Sequence, residues 1–376
     1  MKIGIDCRLW NESGVGRYIR NLTEQLLIID RKNSYVFFVL SKDRKEILRS
    51  VQNDRFKIIT ADIRWHTIEE QWRFPSILNK ENLDLVHFPY FSVPIFYNKP
   101  FIVTIHDLIL HHFPTGEAST LALPLYQLKL LGYKSVISNG AKKAKKIITV
   151  SNATKAEIVD HLKVDPSKVV VTYEGVGINS RLKVKTSKLK VKNYFLYVGN
   201  AYPHKNLERL IEAFNLVCHP EALAEGSNDI KLVLVGKEDY FYKRLKEKVK
   251  NMGLEKSVLF LGEVSDEELM ILYKNARVLV MPSLMEGFGL PAVEAMANKC
   301  LVLASDIPTF REICGGVGVY FDPKNSEEIA KNLIPVLDSG DKYRDKIEKG
   351  FERVKMFSWE KMAKETLRVY EDNIAY

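Results

Sequence analysis

Short apolar runs, rich in β-branched and aromatic residues, alternate with longer stretches of helical period along the whole chain. This alternation is typical of parallel strands joined by crossover helices, so the sequence predicts an α/β protein. The apolar runs are nearly continuous, which indicates strands buried on both faces beneath covering helices. The predicted strands lie at residues 2–7, 35–40, 56–59, 83–88, 101–105, 147–150, 169–173, 194–198, 231–235, 258–261, 278–281, 301–304 and 319–321.

A basic segment interrupts this pattern near the middle of the chain. Residues 181–192, RLKVKTSKLKVK, hold six basic side chains in twelve positions and show no period that could bury one face. We therefore predict a linker at 181–192 between a first domain, 1–180, and a second domain, 193–357, each a doubly wound Rossmann-like parallel sheet. The length of 376 residues agrees with two domains, since one domain usually takes about 100–200 residues.

The last segment, 358–376, is predicted to form an amphipathic helix. Ser358 is a good N-cap residue. Apolar side chains follow at helical spacing, namely Trp359, Met362, Ala363, Leu367 and Tyr370. The sequence leaves open whether this helix packs on the second domain or crosses back to the first.

Charge divides the chain unevenly. Residues 1–190 carry 30 basic and 18 acidic side chains, and the remainder carries 26 and 29. A basic first half is suited to nucleic acid, an anionic lipid surface or a phosphorylated substrate, and charge alone does not choose among them. The four cysteines are widely scattered, and the first residues lack the apolar core of a secretory signal. These features predict a cytoplasmic protein with reduced thiols.

Two segments of the first half could carry chemistry. Gly14 and Gly16 open a helical stretch after the first strand, where backbone N–H groups could approach a phosphate or simply form a tight turn. His106 follows the strand at 101–105, and open α/β sheets bind ligands at the carboxyl ends of their strands. His111 and His112 lie in a predicted loop without a matching carboxylate or cysteine cluster. No metal site is predicted there.

The second half carries the more specific signals. Lys205 follows the strand at 194–198 and precedes a helix for which Asn206 is the predicted N-cap, a suitable place for a cation that binds phosphate. After the strand at 278–281, the segment EGFGLPAVE places seven residues between Glu286 and Glu294. Its glycines leave backbone N–H groups free to face a bound group, while a carboxylate can accept hydrogen bonds from sugar hydroxyls.

With these residues in view, the chain resembles family 4 of the retaining, nucleotide-sugar-dependent glycosyltransferases (glycosyl transferases group 1). The resemblance covers nearly the whole chain through the segments GVGRY, TIHDL, VSNATKAEI, YEGV, YVGNAYPHKNLERLIEAF, LGEVSDEELMILYKNA and EGFGLPAVEAMA. The last segment fits the family's Glu-x7-Glu signature without a gap. The resemblance implies the GT-B fold, in which two Rossmann-like domains face each other across a cleft.

The resemblance also implies two groups of site residues. The residues at the reacting centre would be His106, Lys205 and Glu286. The donor-binding residues would be Gly16, Asn200, Glu263, Val264, Phe288, Gly289, Leu290 and Glu294. In this assignment Glu294 holds the ribose hydroxyls, Glu286 holds the sugar, Lys205 neutralises the leaving diphosphate and His106 lies beside the anomeric carbon. Many relatives carry Arg where this chain has Asn200, so one cation of the usual pair is missing, and His204 or Arg17 could compensate.

The implied reaction is a metal-independent hexosyl transfer with retention of configuration. The expected substrates are a nucleotide sugar, with GDP-mannose preferred over a UDP-sugar, and a glycan or lipid-linked acceptor in surface polysaccharide or glycolipid synthesis. No separate cofactor is implied. Basic residues of the first domain could bring the protein to the inner face of an anionic membrane or could form an ordinary solvated face; they include Lys134, Lys142, Lys143, Lys145 and Lys146.

Other functions remain open at this point. The alternatives are a non-catalytic two-lobed protein that binds a nucleotide or sugar, and a nucleotide-sugar 2-epimerase on the same fold. An incomplete glycine fingerprint disfavours a dehydrogenase. Nucleic-acid binding would rest on charge alone, because no reading motif accompanies the basic residues.

Overall fold

The computed structural model describes residues 1–50, 56–114, 123–177, 191–218, 230–337 and 341–373. The chain divides into two compact units. One unit comprises Met1–Gly175 together with Ser358–Tyr376, and the other comprises Val176–Phe357. Apart from residues 191 and 192, the predicted basic linker lies outside the described residues.

The first unit is built on a seven-stranded sheet in the order β3-β2-β1-β4-β5-β6-β7, with the paired strands parallel. Its strands are β1 Lys2–Asp6, β2 Ser34–Val39, β3 Phe56–Thr60, β4 Leu85–Phe88, β5 Phe101–Ile105, β6 Ile147–Thr149 and β7 Val169–Val171. Its helices are α1 Ser13–Ile29, α2 Arg44–Ser50, α3 Ile68–Asn79, α4 Ile109–His112, α5 Leu123–Lys143, α6 Asn152–Leu162 and, at the end of the chain, α14 Trp359–Glu371.

The second unit is built on a six-stranded parallel sheet in the order β10-β9-β8-β11-β12-β13. Its strands are β8 Tyr194–Val198, β9 Lys231–Val235, β10 Val258–Gly262, β11 Val278–Met281, β12 Val302–Ser305 and β13 Val319–Phe321. Its helices are α7 Leu207–Cys218, α8 Tyr240–Asn251, α9 Asp266–Asn275, α10 Leu290–Ala297, α11 Pro308–Cys314, α12 Ser326–Leu337 and α13 Arg344–Arg353.

Strands of both sheets are buried on both faces. In β11, Val278 and Val280 pack in a core with side chains of α7, α8 and α12, while Leu279 and Met281, which point to the other face, are at most 2% exposed. Side chains alternate between the two faces of a strand, so helices or loops must cover both sides of this sheet. The α/β class with parallel sheets is confirmed, and each predicted strand is present within two residues of its predicted bounds.

Three local predictions need correction. The helix α1 begins at Ser13, so Gly14 and Gly16 lie inside its first turns instead of ahead of it. Asn206 directly precedes α7 and its carbonyl accepts the Leu210 N–H, but its backbone is left-handed with φ of 59° and its side-chain amide donates to the carbonyls of Pro282 and Pro323. His111 and His112 belong to the one-turn helix α4 and not to a loop.

The closing helix α14 is part of the first unit. Ser358 caps it by accepting a hydrogen bond from the Lys361 amide. Near its other end, the Tyr370 hydroxyl lies 2.6 Å from Nδ1 of His87, and Nε2 of His87 lies 2.7 Å from the Thr104 hydroxyl. His87 lies on β4 and Thr104 on β5, so this buried chain of hydrogen bonds ties the helix to the centre of the sheet.

Candidate functional site

The two strongest sequence signals of the second half come together at the point where its strand order reverses. The chain runs outward from β8 to β9 and β10, then returns to β11 on the other side of β8. Ligands of open α/β sheets bind at such a switch point, beyond the carboxyl ends of the strands. Lys205 lies in the short 3₁₀ turn after β8, and Glu286 lies in the loop after β11.

Lys205 and Glu286 form a close ion pair. Nζ of Lys205 lies 2.7 Å from Oε1 of Glu286, and the two side chains are 17% and 8% exposed. The Ser283 hydroxyl donates to the same carboxylate oxygen at 2.7 Å. Burial alone would raise the pKa of Glu286, but the charge and hydrogen bond of Lys205, with the hydrogen bond of Ser283, hold that pKa below its ordinary value. Glu286 is therefore a carboxylate at neutral pH, able to accept further hydrogen bonds.

The backbone around this pair is fixed from two sides. The Thr309 hydroxyl donates to the Glu286 carbonyl at 2.7 Å, and the Leu284 amide donates to the His204 carbonyl at 2.7 Å. The second bond joins the loop after β8 directly to the loop after β11. Burial, with the neighbouring charge of Lys205, lowers the pKa of His204 to about 4. His204 is thus neutral near pH 7 and supplies no second positive charge beside Lys205.

The start of α10 follows Glu286 closely. Gly289 has φ of 90°, a conformation that glycine adopts readily, and an added Cβ there would lie 2.7 Å from the Phe310 ring. Phe288 is buried with its ring 5.5 Å from that of Phe357. These features hold the first turn of α10, which begins at Leu290, and so fix the positive end of the helix dipole. Within that turn Pro291 has no N–H, and the Ala292 N–H donates to the Gly289 carbonyl at 2.9 Å.

Glu294 lies within α10, on the turn that follows. Its Oε2 accepts a hydrogen bond of 2.9 Å from the Tyr273 hydroxyl on α9, which orients the carboxylate. Glu286 and Glu294 are thus held differently: one pairs with a cation, and the other is held by a neutral donor. Oriented in this way, the Glu294 carboxylate is suited to accept hydrogen bonds from hydroxyl groups of a ligand.

The turn after β8 is shaped by close backbone approach. Gly199 has φ of 148°, and its carbonyl accepts a hydrogen bond from the Tyr242 hydroxyl at 2.7 Å. A Cβ on Gly236 would lie 2.0 Å from that carbonyl oxygen. Only glycine therefore fits at residue 236, where the chain after β9 approaches the chain after β8. Tyr197 donates to the Asn200 carbonyl at 2.6 Å and fixes the backbone of the residue that stands in the place of the expected Arg.

Two of the predicted donor-binding residues, Glu263 and Val264, lie further along the same edge of the sheet. Glu263 and Val264 follow β10 and precede Ser265, which caps α9 in a reciprocal capping box with Glu268. Two strand spacings of about 4.8 Å separate β10 from β8. Glu263 is exposed and Val264 is partly buried.

Gly16 and His106 belong to the first unit. A Cβ on Gly16 would lie 2.4 Å from the Trp10 carbonyl oxygen, so close packing of α1 on the loop that precedes it already requires glycine. Nε2 of His106 lies 3.0 Å from the Pro89 carbonyl, and Nδ1 lies 3.4 Å from a carboxylate oxygen of Glu174. Because both partners are acceptors, the imidazole is oriented by protein on both sides.

Two clusters in the first unit were missed by sequence reasoning. Arg8, after β1, is buried against Asp6 and Glu70, with N–O distances of 2.7 and 2.6 Å, and its guanidinium lies 3.7 Å from the Phe74 ring centre. The only signal for it in the sequence was a charged pair at the end of a strand.

The second missed cluster involves His112. The expectation that no carboxylate accompanies this histidine is wrong, because Glu157 and His161 of α6 lie against it. The spacing of Glu157 and His161 is visible in the sequence, but their proximity to α4 is a product of the fold.

Among the described residues, no helix combines the length and the apolar character needed to cross a membrane.

Comparison with known proteins gives two family matches. Residues 179–353 match the model of glycosyl transferases group 1, and residues 13–179 match the model of Glycosyltransferase Family 4. The chain is 30% identical to the O-antigen chain mannosyltransferase RfbU of Salmonella typhimurium, over 73% of this chain and 72% of that protein. It is 29% identical to an MMP alpha-(1->4)-mannosyltransferase of Mycolicibacterium hassiacum, over 73% of this chain and 66% of that protein.

Solved structures resemble the chain over its whole length. A sucrose-phosphate synthase of Thermosynechococcus elongatus has a TM-score of 0.76 at 20% identity, with 99% of this chain and 98% of that chain covered. The HepE protein of Anabaena, in complex with UDP and glucose, has a TM-score of 0.76 at 16% identity, with 99% and 100% covered. These likenesses concern the fold, and they confirm the predicted pair of Rossmann-like domains of the GT-B fold.

Proposed function

The chain belongs to the glycosyl transferases group 1 family, and from that premise we propose that it moves a hexose from a nucleoside-diphosphate sugar to a hydroxyl of a glycan or lipid-linked acceptor. The observation that carries the proposal is the pair of Lys205 and Glu286 at the switch point, beside the N-terminus of α10. This arrangement offers a cation, amide N–H groups and a carboxylate to a sugar diphosphate. We propose surface polysaccharide or glycolipid synthesis as the setting.

Mannose is the preferred sugar of the proposal, with GDP-mannose as donor. Two relatives named as mannosyltransferases, each covering 73% of this chain, support that choice. The structural neighbour in complex with UDP and glucose keeps UDP-sugars as the second donor to test.

The proposed chemistry is electrostatic. As the glycosidic bond to phosphate breaks, negative charge grows on the diphosphate, and preorganised positive groups facing that charge lower the barrier. Lys205, the Leu290 N–H and the dipole of α10 are those groups in our proposal, while Glu286 holds the sugar. Glu294 accepts hydrogen bonds from the ribose. Since Lys205 is already paired with a carboxylate, the positive end of the α10 dipole must supply much of the net positive potential.

We propose further that the acceptor hydroxyl attacks from the face of the departing diphosphate, with retention of configuration and without a divalent metal at the diphosphate. The Lys205 ammonium and the helix dipole would then do what a metal does in other glycosyl transfers. For Gly16, His106, Asn200, Glu263 and Val264, the assigned roles stay predictions.

We propose a cytoplasmic protein that meets the inner face of an anionic membrane through α5. Leu125, Leu128 and Leu131 project from this helix at 58, 67 and 63% exposure, beside exposed Lys129 and Lys134. Apolar side chains flanked by lysines suit the boundary between headgroups and acyl chains of anionic lipid.

A vesicle flotation assay tests the membrane proposal. The protein should float with vesicles that contain anionic lipid and not with purely zwitterionic vesicles. Leu128→Ser should reduce the bound fraction, whereas Leu48→Ser, at a residue 50% exposed on α2, should leave it unchanged. Equal flotation of both variants, or no dependence on anionic lipid, would remove α5 as the contact.

A thermal-shift panel of GDP, UDP, ADP and their sugars, followed by product analysis, tests the main proposal. A ligand at 100 times its dissociation constant stabilises the folded protein by about 2.7 kcal/mol. The nucleotide of the natural donor should therefore give the largest rise in melting temperature. GDP-mannose with a lipid-linked saccharide should then give GDP and an extended saccharide in equal amounts. Binding without turnover would indicate a sugar-binding protein, and a sugar altered at C2 would indicate an epimerase; either result would contradict transfer.

A further inference from the structure

Three side chains that the proposed reaction does not use converge on the surface of the first unit. Glu157 and His161 lie four residues apart on α6, so they occupy the same face of that helix. His112, the last residue of the short helix α4, reaches the same spot. The three side chains are 35, 35 and 34% exposed, so solvent has access to all of them.

Their ligand atoms are close enough to share one ion. Nε2 of His112 lies 2.5 Å from Oε2 of Glu157, and Nε2 of His161 lies 3.2 Å from the same oxygen. One ligand atom from each residue falls within 4.8 Å of the others. Bonds of about 2.0–2.1 Å in a tetrahedral zinc site separate neighbouring ligand atoms by about 3.3 Å. Small rotations of partly exposed side chains would therefore reach that geometry.

From this donor set we propose that His112, Glu157 and His161 bind one late first-row divalent metal ion, with Zn²⁺ as the best-matched ion. Imidazole nitrogen is a favoured ligand of Zn²⁺, Ni²⁺ and Cu²⁺, whereas Mg²⁺ and Ca²⁺ require oxygen ligands. Two histidines and one carboxylate leave a fourth position to water. Both imidazoles already lie against the carboxylate without a metal ion, so binding needs no rearrangement of the backbone.

The bound ion would join two segments beside a predicted site residue. α4 begins three residues after His106, and α6 follows β6 directly. The two segments already meet, because the Thr154 hydroxyl of α6 donates to the His106 carbonyl at 3.4 Å. A metal ion bound by α4 and α6 would link the segment that follows β5 to the segment that follows β6. We therefore expect metal binding to raise the thermal stability of the protein.

Isothermal titration of the full chain tests this inference. The protein should be free of any histidine tag and treated with chelator before titration with ZnCl₂ or MgCl₂. We expect one equivalent of Zn²⁺ to bind, no Mg²⁺ to bind at the same concentration, and the melting temperature to rise by several degrees with Zn²⁺ only. No saturable Zn²⁺ binding, or equal binding of Mg²⁺, would overturn the proposal.

Conservative variants locate the site. His161→Gln and Glu157→Gln should each weaken Zn²⁺ binding by about tenfold or more and abolish the melting shift. The matched control is His111→Gln, since the ring of His111 is held by the Tyr133 hydroxyl at 2.8 Å and is outside the three-residue group. Unchanged Zn²⁺ affinity in His161→Gln, or its loss in His111→Gln, would contradict the assignment.

Cobalt gives a second readout that does not depend on stability. Co²⁺ bound in place of Zn²⁺ should show visible absorption that excess Zn²⁺ removes. The absorption should be lost in His112→Gln and kept in His111→Gln. The melting temperature of each metal-free variant, equal to that of the wild type, would establish that the fold is intact.

Discussion

At the scale of single residues, the pairing of Lys205 with Glu286 has two consequences. The pair is mostly buried, with 17% and 8% of the side chains exposed. Removing one partner leaves the other charge without compensation, which costs about 3–5 kcal/mol for a buried pair. In the proposed reaction, the same change also removes a group that contacts the ligand. Loss of activity in a variant therefore has to be separated from loss of folded protein.

We predict that Lys205→Ala and Glu286→Gln each lower turnover by about 100-fold or more, the usual result of losing one preorganised stabilising group. Steady-state transfer would be measured at saturating donor, with urea unfolding of each variant to establish that it is folded. Lys246→Ala is the control, because Lys246 pairs with Glu238 on an exposed surface. Near-normal turnover in folded Lys205→Ala would remove this residue from the reaction.

Glu294 should act on binding instead of turnover. The Tyr273 hydroxyl orients its carboxylate at 2.9 Å, and we assign it to the ribose, which is remote from the breaking bond. We predict that Glu294→Gln raises the donor dissociation constant by about tenfold, a loss of about 1.4 kcal/mol, with a smaller change in turnover. Calorimetry with the nucleoside diphosphate and with the free nucleobase checks the assignment. An equal loss for both ligands would place Glu294 on the base.

The candidate site residues that the sequence alone singles out are those whose signal depends on local spacing. Glu286 and Glu294 flank a glycine loop, and Lys205 follows a strand, so each signal lies within about ten residues. The Ser283 hydroxyl that holds Glu286, and the proximity of His112 to Glu157, depend on loop geometry and on packing between separate elements. Such contacts have no local pattern, so the sequence could not show them.

At the scale of elements, strand positions were predictable because buried parallel strands consist of continuous apolar runs. The first residues of the helices were less predictable. Gly14 and Gly16 suggested a loop, since glycine weakens a helix, but close packing against Trp10 requires Gly16 inside α1. Packing of the closing helix could not be predicted, because its apolar face would suit either domain. The structure shows that the helix packs on the first unit, where the Tyr370 hydroxyl is hydrogen-bonded to buried His87.

The hydrogen bond between Tyr370 and His87 should be measurable as stability. We predict that Tyr370→Phe lowers the free energy of unfolding by about 1–3 kcal/mol, because it leaves a ring nitrogen of a fully buried histidine without a partner. Urea unfolding followed by circular dichroism measures the change. Tyr240→Phe is the matched control, with a side chain 61% exposed. Equal stability of the two variants would show that the buried hydroxyl contributes nothing.

At the scale of the whole molecule, histidines with a lowered pKa make stability depend on pH. Burial lowers the pKa of His66 to about 4 and also lowers that of His111, and the two most deeply buried cases are His87 and His204. Burial, with the nearby charge of His106, lowers the pKa of His87 to about 3. Burial, with Lys205, lowers that of His204 to about 4. An unfolded histidine has a pKa near 6.5. At pH values between the folded and unfolded pKa, the unfolded chain binds protons that the folded protein does not bind. The free energy of unfolding therefore decreases as pH falls below about 6.5.

We therefore predict that the free energy of unfolding decreases from pH 7.5 to pH 5, with a slope that approaches about 1.4 kcal/mol per pH unit for each buried histidine. Most carboxylates titrate below this window, but burial raises the pKa of Glu70 and of Glu365, so these two groups oppose the effect of the histidines. His204→Gln should flatten the slope by the contribution of one proton, because glutamine does not titrate and occupies the same buried position. Urea denaturation at four or five pH values gives the slope for both proteins. If His204→Gln kept the full wild-type pH dependence, the neutral, buried state of His204 beside Lys205 would be wrong, and this ring would become the candidate for the second cation that Asn200 does not supply.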